Sequence, residues 1–204
     1  MPDTPSQFVS RGGLKIEAAL DTFEIDPTDF TCADLGCNVG GFTDCLLQRN
    51  AKKVFAVDTA YGQLAWKLRQ DERVTVLERT NAMHFEPESL DGFQACDLVV
   101  IDLGWTRQNK AIPVALKWLN QSPDARVISL IKPHYESTET SGEKRQRKGV
   151  LSPEQSQQIC QQTLQTMPEL GVEVIHHIPS PIRGGGKRGK KPGNIEYLAL
   201  CKRA

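Results

Sequence analysis

The sequence of 204 residues has no long hydrophobic run, no metal-ligand spacing and no excess of charge. Its apolar stretches fall well short of the roughly 18 residues that a transmembrane helix needs, and the N-terminus lacks the apolar region of a secretory signal. Six cysteines are present, but no C-x-x-C pair and no Cys/His cluster has zinc spacing. We therefore predict a cytoplasmic protein with free thiols, no membrane segment and no bound metal.

The net charge is zero, because 25 Lys and Arg residues balance 25 Asp and Glu residues. The positive charge is nevertheless concentrated in residues 144–148 and 183–191, which hold four and five basic residues. Local positive fields attract polyanions whatever the net charge. A pair of solvated surface loops is the simpler alternative.

Strand-like and helix-like segments alternate along the chain. Residues 97–103 (D-L-V-V-I-D-L) form the strongest buried strand pattern. The last two strands, 172–178 and 195–201, have no helix between them and are expected to be antiparallel neighbours. The alternation predicts an α/β fold with a doubly wound, mostly parallel sheet of seven strands.

Two helices of this pattern carry specific expectations. Residues 61–69 predict a helix in which Trp66 belongs to the core, because A-W-K-L has helical spacing. Residues 111–119 predict another helix, with Pro113 in its first turn, where a missing N–H does no harm.

A glycine-rich turn, D-L-G-C-N-V-G-G-F-T-D at residues 34–44, follows a predicted strand and opens a helix. Glycine permits positive φ and close approach of the backbone to a ligand. The spacing G-x-x-x-G-G differs from the G-x-G-x-x-G of dinucleotide-binding proteins. Asp58 ends the next strand, where an acid can bind both hydroxyls of a ribose. We predict an adenosine ligand without a pyrophosphate, such as S-adenosylmethionine, with a ligand-free turn as the alternative. The predicted cofactor-binding residues are Asp34, Gly36, Asn38, Gly40, Gly41, Phe42, Asp58, Asn81 and Asp102.

Two lysines and two acids lie in four short motifs spread along the whole chain. A lone lysine or acid is ordinarily a solvated surface group, but each of these borders an apolar run or glycines, where side chains can converge. The motifs are S-R-G-G-L-K at 10–15, V-V-I-D at 99–102, I-K-P-H-Y-E at 131–136 and G-N-I-E-Y-L at 193–198.

These motifs, together with G-G-F-T-D-C-L-L-Q, A-V-D-T-A-Y-G-Q-L-A-W-K-L-R and L-E-R-T-N, resemble the TlyA branch of the FtsJ/RrmJ-type ribose 2′-O-methyltransferases. The resemblance runs from about Phe8 to Cys201. It implies the class I S-adenosylmethionine-dependent methyltransferase (Rossmann-like) fold, S-adenosylmethionine as methyl donor, and ribosomal RNA or a ribosomal subunit as partner. The family's catalytic tetrad falls on Lys15, Asp102, Lys132 and Glu196.

The chain also departs from the family pattern. The small N-terminal RNA-binding module of that branch is not expected here, since about ten residues precede the first motif. We expect one methyltransferase domain over residues 1–204, with a tail at 1–9 and basic loops at 137–151 and 179–194. The loops are predicted to replace the module in holding RNA. The predicted RNA-binding residues are Arg11, Lys144, Arg145, Arg147, Lys148, Arg183, Lys187, Arg188, Lys190 and Lys191.

The tetrad suggests a division of roles. A lysine accepts a proton only in its neutral form, which burial or a second cation favours. We predict Lys132 as general base, held by Asp102, with Lys15 and Glu196 orienting the ribose and its phosphate. Tyr61, Trp66 and Trp105 flank the two candidate sites and could stack on a base or on adenine, although Trp66 is assigned to the core. A small-molecule O-methyltransferase and a noncatalytic RNA-binding or membrane-lytic protein remain the alternatives.

Overall fold

The computed structural model describes residues 7–137, 150–184 and 193–204. The strands are β1 (Thr31–Leu35), β2 (Lys53–Val57), β3 (Val74–Leu77), β4 (Leu98–Ile101), β5 (Arg126–Ile131), β6 (Val172–Pro179) and β7 (Tyr197–Arg203). They form one seven-stranded sheet in the order β3-β2-β1-β4-β5-β7-β6. The first five strands of this order are parallel, and β7 runs antiparallel to both β5 and β6. The predicted sheet and its antiparallel final pair are confirmed.

The helices are α1 (Gly12–Thr22), α2 (Gly41–Gln48), α3 (Trp66–Arg69), α4 (Gln108–Trp118), α5 (Pro133–Glu136) and α6 (Pro153–Thr166). α6 begins with a capping box between Ser152 and Gln155, which satisfies two backbone donors that its first turn leaves free. In the described part of the chain, no helix is long and apolar enough to cross a membrane.

Two expectations about helices were wrong. The helix predicted over 61–69 is only the single turn of α3, and Trp66 is 73% exposed. The buried residues of this segment are instead Leu64 and Leu68. Trp66 lies two positions from each of them, and neighbours two apart on a helix do not share a face. Pro113 lies inside α4 and not in its first turn, because the helix begins earlier, where the backbone N–H of Gln108 donates to Glu136 Oε1 at 2.9 Å.

Apolar side chains cover both faces of the sheet. On one face, Ile16 of α1 and Leu46 of α2 pack with Val54 of β2. On the other face, Trp118 of α4 is fully buried and its ring lies 5.5 Å from that of Phe55. All six cysteines are buried free thiols, and burial raises the pKa of Cys45, Cys160 and Cys201 to about 12.

The parallel strands bring their carboxyl ends to one edge of the sheet. Gly36 follows β1, Asp58 follows β2, Asp102 follows β4 and Lys132 follows β5. Ligands of open α/β sheets bind in the crevice at this edge. The fold therefore gathers the residues singled out from the sequence on one side of the molecule.

Candidate active site

A cavity of about 810 Å³ opens at the carboxyl edge of the sheet. Its wall consists of the turns after β1, β2, β3, β4 and β5, the start of α1, and residues 182–184. The volume falls within the range of roughly 300–1,000 Å³ typical of small-molecule pockets. Predicted site residues in the wall are Arg11, Lys15, Gly36, Asn38, Gly41, Asp58, Asn81, Asp102, Lys132 and Arg183.

The glycine turn and Asp58 form one side of this cavity. Gly36 has φ +93°, and a Cβ there would lie 2.6 Å from the carbonyl oxygen of Asp102, so a larger residue would separate the turn from the end of β4. The carboxylate of Asp58 accepts from the backbone N–H groups of Asn38 and Ala60, both at 2.8 Å. Each carboxylate oxygen can accept a second hydrogen bond. Asp58 is therefore held in place with acceptor capacity left for a ribose.

Three predicted cofactor residues lie behind the turn, outside the cavity wall. Asp34 is fully buried and accepts from the N–H and the hydroxyl of Thr43, at 3.0 and 2.7 Å. Burial raises its pKa to about 7. Gly40, with φ +98°, packs against α3, and Phe42 is buried in the apolar layer. The structure gives these three residues a supporting role for the turn and no direct contact with the cavity.

The tetrad forms two ion pairs on the side of the cavity opposite Asp58. Lys15 Nζ lies 2.6 Å from Glu196 Oε2, and the two residues are 8% and 3% exposed. Lys132 Nζ lies 2.5 Å from Asp102 Oδ1 and 3.1 Å from the carbonyl oxygen of Leu103. Neighbouring strands β4 and β5 place Asp102 beside Lys132, while α1 carries Lys15 across to the start of β7. Each lysine is thus matched with its own acid.

The sequence from residue 8 to 189 matches the FtsJ-like methyltransferase family. The chain belongs to this family. It is 37% identical over 195 residues to YqxC of Bacillus subtilis, a candidate rRNA methyltransferase, and the match covers 95% of this chain and 65% of that protein. It is 36% identical over 196 residues to the 16S/23S rRNA (cytidine-2′-O)-methyltransferase TlyA of Mycobacterium tuberculosis, covering 96% of this chain and 69% of TlyA.

A solved structure from Streptococcus thermophilus, of a candidate hemolysin, superimposes with a TM-score of 0.85 at 33% identity. The match covers 99% of this chain and 69% of that one. The chain thus spans about two thirds of the length of these relatives. The resemblance noted in the sequence is confirmed, and with it the methyltransferase fold.

The cavity of this FtsJ-like chain fits S-adenosylmethionine, the methyl donor that the family implies. Asp58, fixed at the end of β2, presents acceptors for the hydroxyls of a ribose. Gly36 leaves bare backbone facing the cavity at the end of β1. In residues 7–137, 150–184 and 193–204, no group of three His, Cys, Asp or Glu side chains is arranged to hold a metal ion.

Residues 180–184 lie beside the Lys15–Glu196 pair. The sequence predicted this stretch as part of a basic loop, with Arg183 as an RNA-binding residue, and not as a neighbour of the tetrad. The N–H of Ser180 donates to the carbonyl of Glu196 at 2.8 Å, and that of Gly184 donates to the carbonyl of Asn194 at 3.0 Å. A Cβ on Gly184 would overlap Glu196 Oε1. The glycine is therefore needed for the acid to reach Lys15. Its place in the glycine-rich run 184–186 concealed this individual role.

The predicted basic loops lie largely outside the described residues. Only Arg11 and Arg183 of the RNA-binding set are described, and both line the cavity. The residues outside the description are Lys144, Arg145, Arg147, Lys148, Lys187, Arg188, Lys190 and Lys191. Leu151 and Asn194 are the last residues of the two predicted basic loops. The N–H of Leu151 donates to Asn194 Oδ1 at 2.9 Å, which holds the ends of the two loops next to each other.

The segment K-P-H-Y-E builds the rim near Lys132. Trp105, 79% exposed, lines the cavity, and its ring lies 5.0 Å from that of Tyr135. Arg107 Nε donates to the carbonyl of Tyr135 at 3.1 Å. Glu136 caps α4, and burial raises its pKa to about 6. Sequence reasoning missed the roles of Arg107 and Glu136, because their partners lie in a different element.

Proposed function

We propose that this protein is an S-adenosylmethionine-dependent methyltransferase that modifies a ribose 2′-hydroxyl of RNA, with ribosomal RNA as the substrate. The observation that supports this most directly is the pair of Lys–acid contacts beside the turn of Gly36 and Asp58. One cavity thus combines a side suited to bind a nucleoside with a side on which a lysine can accept a proton. The name of the TlyA relative indicates the same reaction on 16S and 23S rRNA.

We assign to Lys132 the role of accepting the hydroxyl proton, a step that requires its neutral form. A neutral amine has two N–H groups and one lone pair. Two acceptors, Asp102 Oδ1 and the carbonyl of Leu103, take the two N–H groups, and the lone pair is left for a hydroxyl in the cavity that Lys132 lines. When bound, S-adenosylmethionine supplies an electrophilic methyl group on a sulfonium, so alignment of the hydroxyl governs the rate.

Lys15 and Glu196 orient the substrate. Lys15 lines the cavity, whereas Glu196 lies behind it and neutralises its charge. An ammonium has three donors, so Lys15 can keep its contact with Glu196 and still donate to a ribose oxygen or a phosphate. Arg183 and Arg11 extend this cationic side of the cavity.

The two basic segments are proposed to hold the RNA backbone. Their borders meet at the Leu151–Asn194 hydrogen bond, next to the wall residue Gly184. Cationic side chains that contact phosphates position a nucleic acid without reading its sequence. We further propose that residues 1–204 act as one methyltransferase domain in the cytoplasm, where free thiols persist.

The reaction class is tested with labelled methyl donor and four acceptors. Purified protein is incubated with ribosomal subunits, with protein-free rRNA, with a catechol, and without acceptor. We expect label in RNA only, at a nucleotide whose 2′-O-methylation protects the adjacent phosphodiester from alkaline hydrolysis. Label in the catechol would favour a small-molecule methyltransferase, and absence of label from every acceptor would contradict the proposed activity.

A further inference from the structure

A tyrosine and an arginine form an exposed stacked pair at the rim on the Asp58 side of the cavity. Tyr61 is 67% exposed, and the guanidinium carbon of Arg79 lies 4.2 Å from the centroid of its ring. The neighbouring Arg69 pairs with the carboxylate of Glu78, whereas the guanidinium of Arg79 covers an aromatic face. An exposed ring beside an exposed planar cation offers flat surfaces on which a base can stack.

The backbone holds this pair in place. The N–H of Arg79 donates to the carbonyl of Ala60 at 3.2 Å, and that of Thr80 donates to the carbonyl of Asp58 at 2.9 Å. Arg79 has φ +53°, a conformation that residues other than glycine rarely adopt. The turns after β2 and β3 are therefore tied together beneath the pair, and these same turns contribute Thr59, Ala60, Gln63, Thr80 and Asn81 to the cavity wall.

The pair lies across the cavity from the tetrad. Tyr61 and Arg79 follow β2 and β3, at one end of the strand order, whereas Lys132 and Glu196 border β5 and β7, beyond β1 and β4. The borders of the basic segments are on the tetrad side. A polynucleotide that delivers a ribose to Lys132 and continues over the cavity meets the stacked pair next.

We propose, on the basis of the RNA methyltransferase function above, that the Tyr61–Arg79 pair stacks on an unpaired nucleobase flanking the target nucleotide. Bases stack on tyrosine rings and on arginine planes irrespective of their identity. Bases within a duplex are already stacked on each other. The pair therefore favours substrates whose nucleotides next to the target are single-stranded.

The test compares two labelled RNAs by fluorescence anisotropy, a single strand of roughly 12 nucleotides and the same strand in a duplex. Tyr61→Ala is expected to weaken single-strand binding about tenfold and to leave duplex binding unchanged. Tyr61→Phe keeps the ring and retains affinity, whereas Arg79→Lys keeps the charge and loses the plane, so that affinity falls. His176→Ala removes an exposed ring of β6 that contacts Phe23 after α1, and this variant is the matched control, expected to bind both RNAs like the parent.

Three results would overturn the inference. Equal losses on single strand and duplex would show that the pair does not act by stacking on unpaired bases, and unchanged single-strand binding would show that no base stacks there. A weaker affinity for S-adenosylmethionine in Tyr61→Ala, measured by calorimetry, would assign the pair to the cofactor site. If the parent protein neither methylates nor binds RNA, the proposed function itself is contradicted. If the parent is active and the variants behave like it, only the inference about the Tyr61–Arg79 pair is contradicted.

Discussion

The Lys15–Glu196 contact is a buried ion pair, and its energetics can be separated from its role in the reaction. The two side chains are 10% and 4% exposed, and 2.6 Å separates Nζ from Oε2. Removing one partner of a buried pair leaves an uncompensated charge and costs about 3–5 kcal/mol, whereas replacing both partners by apolar groups is close to neutral. We expect Glu196→Leu and Lys15→Met each to lower the free energy of unfolding by about 3 kcal/mol, and the double variant, which is apolar at both positions, to recover most of the loss.

The exposed pair Lys202–Glu173 provides the matched control. Its atoms lie 2.9 Å apart, but its side chains are 39% and 60% exposed, so each single substitution should cost less than about 1 kcal/mol. Urea unfolding of all variants gives the free energies, and methyl transfer is measured in parallel. The double variant should regain stability and remain inactive. Losses at Glu196 no larger than those at Glu173 would refute the electrostatic account of this pair.

Four further outcomes test the site and its surroundings. Lys132→Ala and Asp102→Ala should each reduce methyl transfer by about 10²–10⁴-fold, and Lys132→Ala should keep its cofactor affinity within severalfold; near-parental turnover of Lys132→Ala at saturating RNA would exclude it as the base. Asp58→Ala should weaken S-adenosylmethionine binding by about 1.5–3 kcal/mol in calorimetry. Asp34, with a folded pKa of about 7 against about 3.9 in the unfolded chain, contributes stability that is fully present below pH 3.9 and is lost as the pH rises through 7. Asp34→Asn should therefore flatten the fall in unfolding free energy between these pH values, and a parallel fall in both proteins would contradict the assignment. Replacing the four basic residues of 187–191 by serine should lower RNA affinity and flatten its salt dependence, whereas superimposable salt plots would mean that this segment is only solvated surface.

The sheet was predictable because strand and helix signals are local. Alternating elements specify a parallel sheet with right-handed crossovers, and the absence of a helix before β7 specified its antiparallel direction. The helix predicted over 61–69 failed for a reason that is not local. Gly62, at φ +72°, begins an irregular segment in which Leu64 and Leu68 are the buried residues, and the aromatic residue between them faces solvent.

The four residues of the tetrad and the contact of Asp102 with Lys132 could be predicted, but the contact of Lys15 with Glu196 could not. The motifs and the family resemblance singled out Lys15 and Glu196, yet 181 positions separate them, and no sequence spacing shows that they meet. The role of Gly184 depends on the same long-range contact, since the space that it leaves is filled by Glu196. Residues whose function is to make room for another side chain carry no signature of their own in a single sequence.

Hydrogen bonds between adjacent strands fix the position of the glycine turn relative to the Lys132–Asp102 pair. The adjacent strands β1 and β4 carry the glycine turn and Asp102, and the N–H of Asp102 donates to the carbonyl of Leu35 at 2.9 Å. Gly36 then passes so close to the carbonyl of Asp102 that no side chain fits between them. Lys132 is set against Asp102 by the neighbouring strand β5. Because misplacement by about 1 Å can cost on the order of 10²-fold in rate, the methyl donor and the proton acceptor proposed for this site would gain their alignment from three hydrogen-bonded strands.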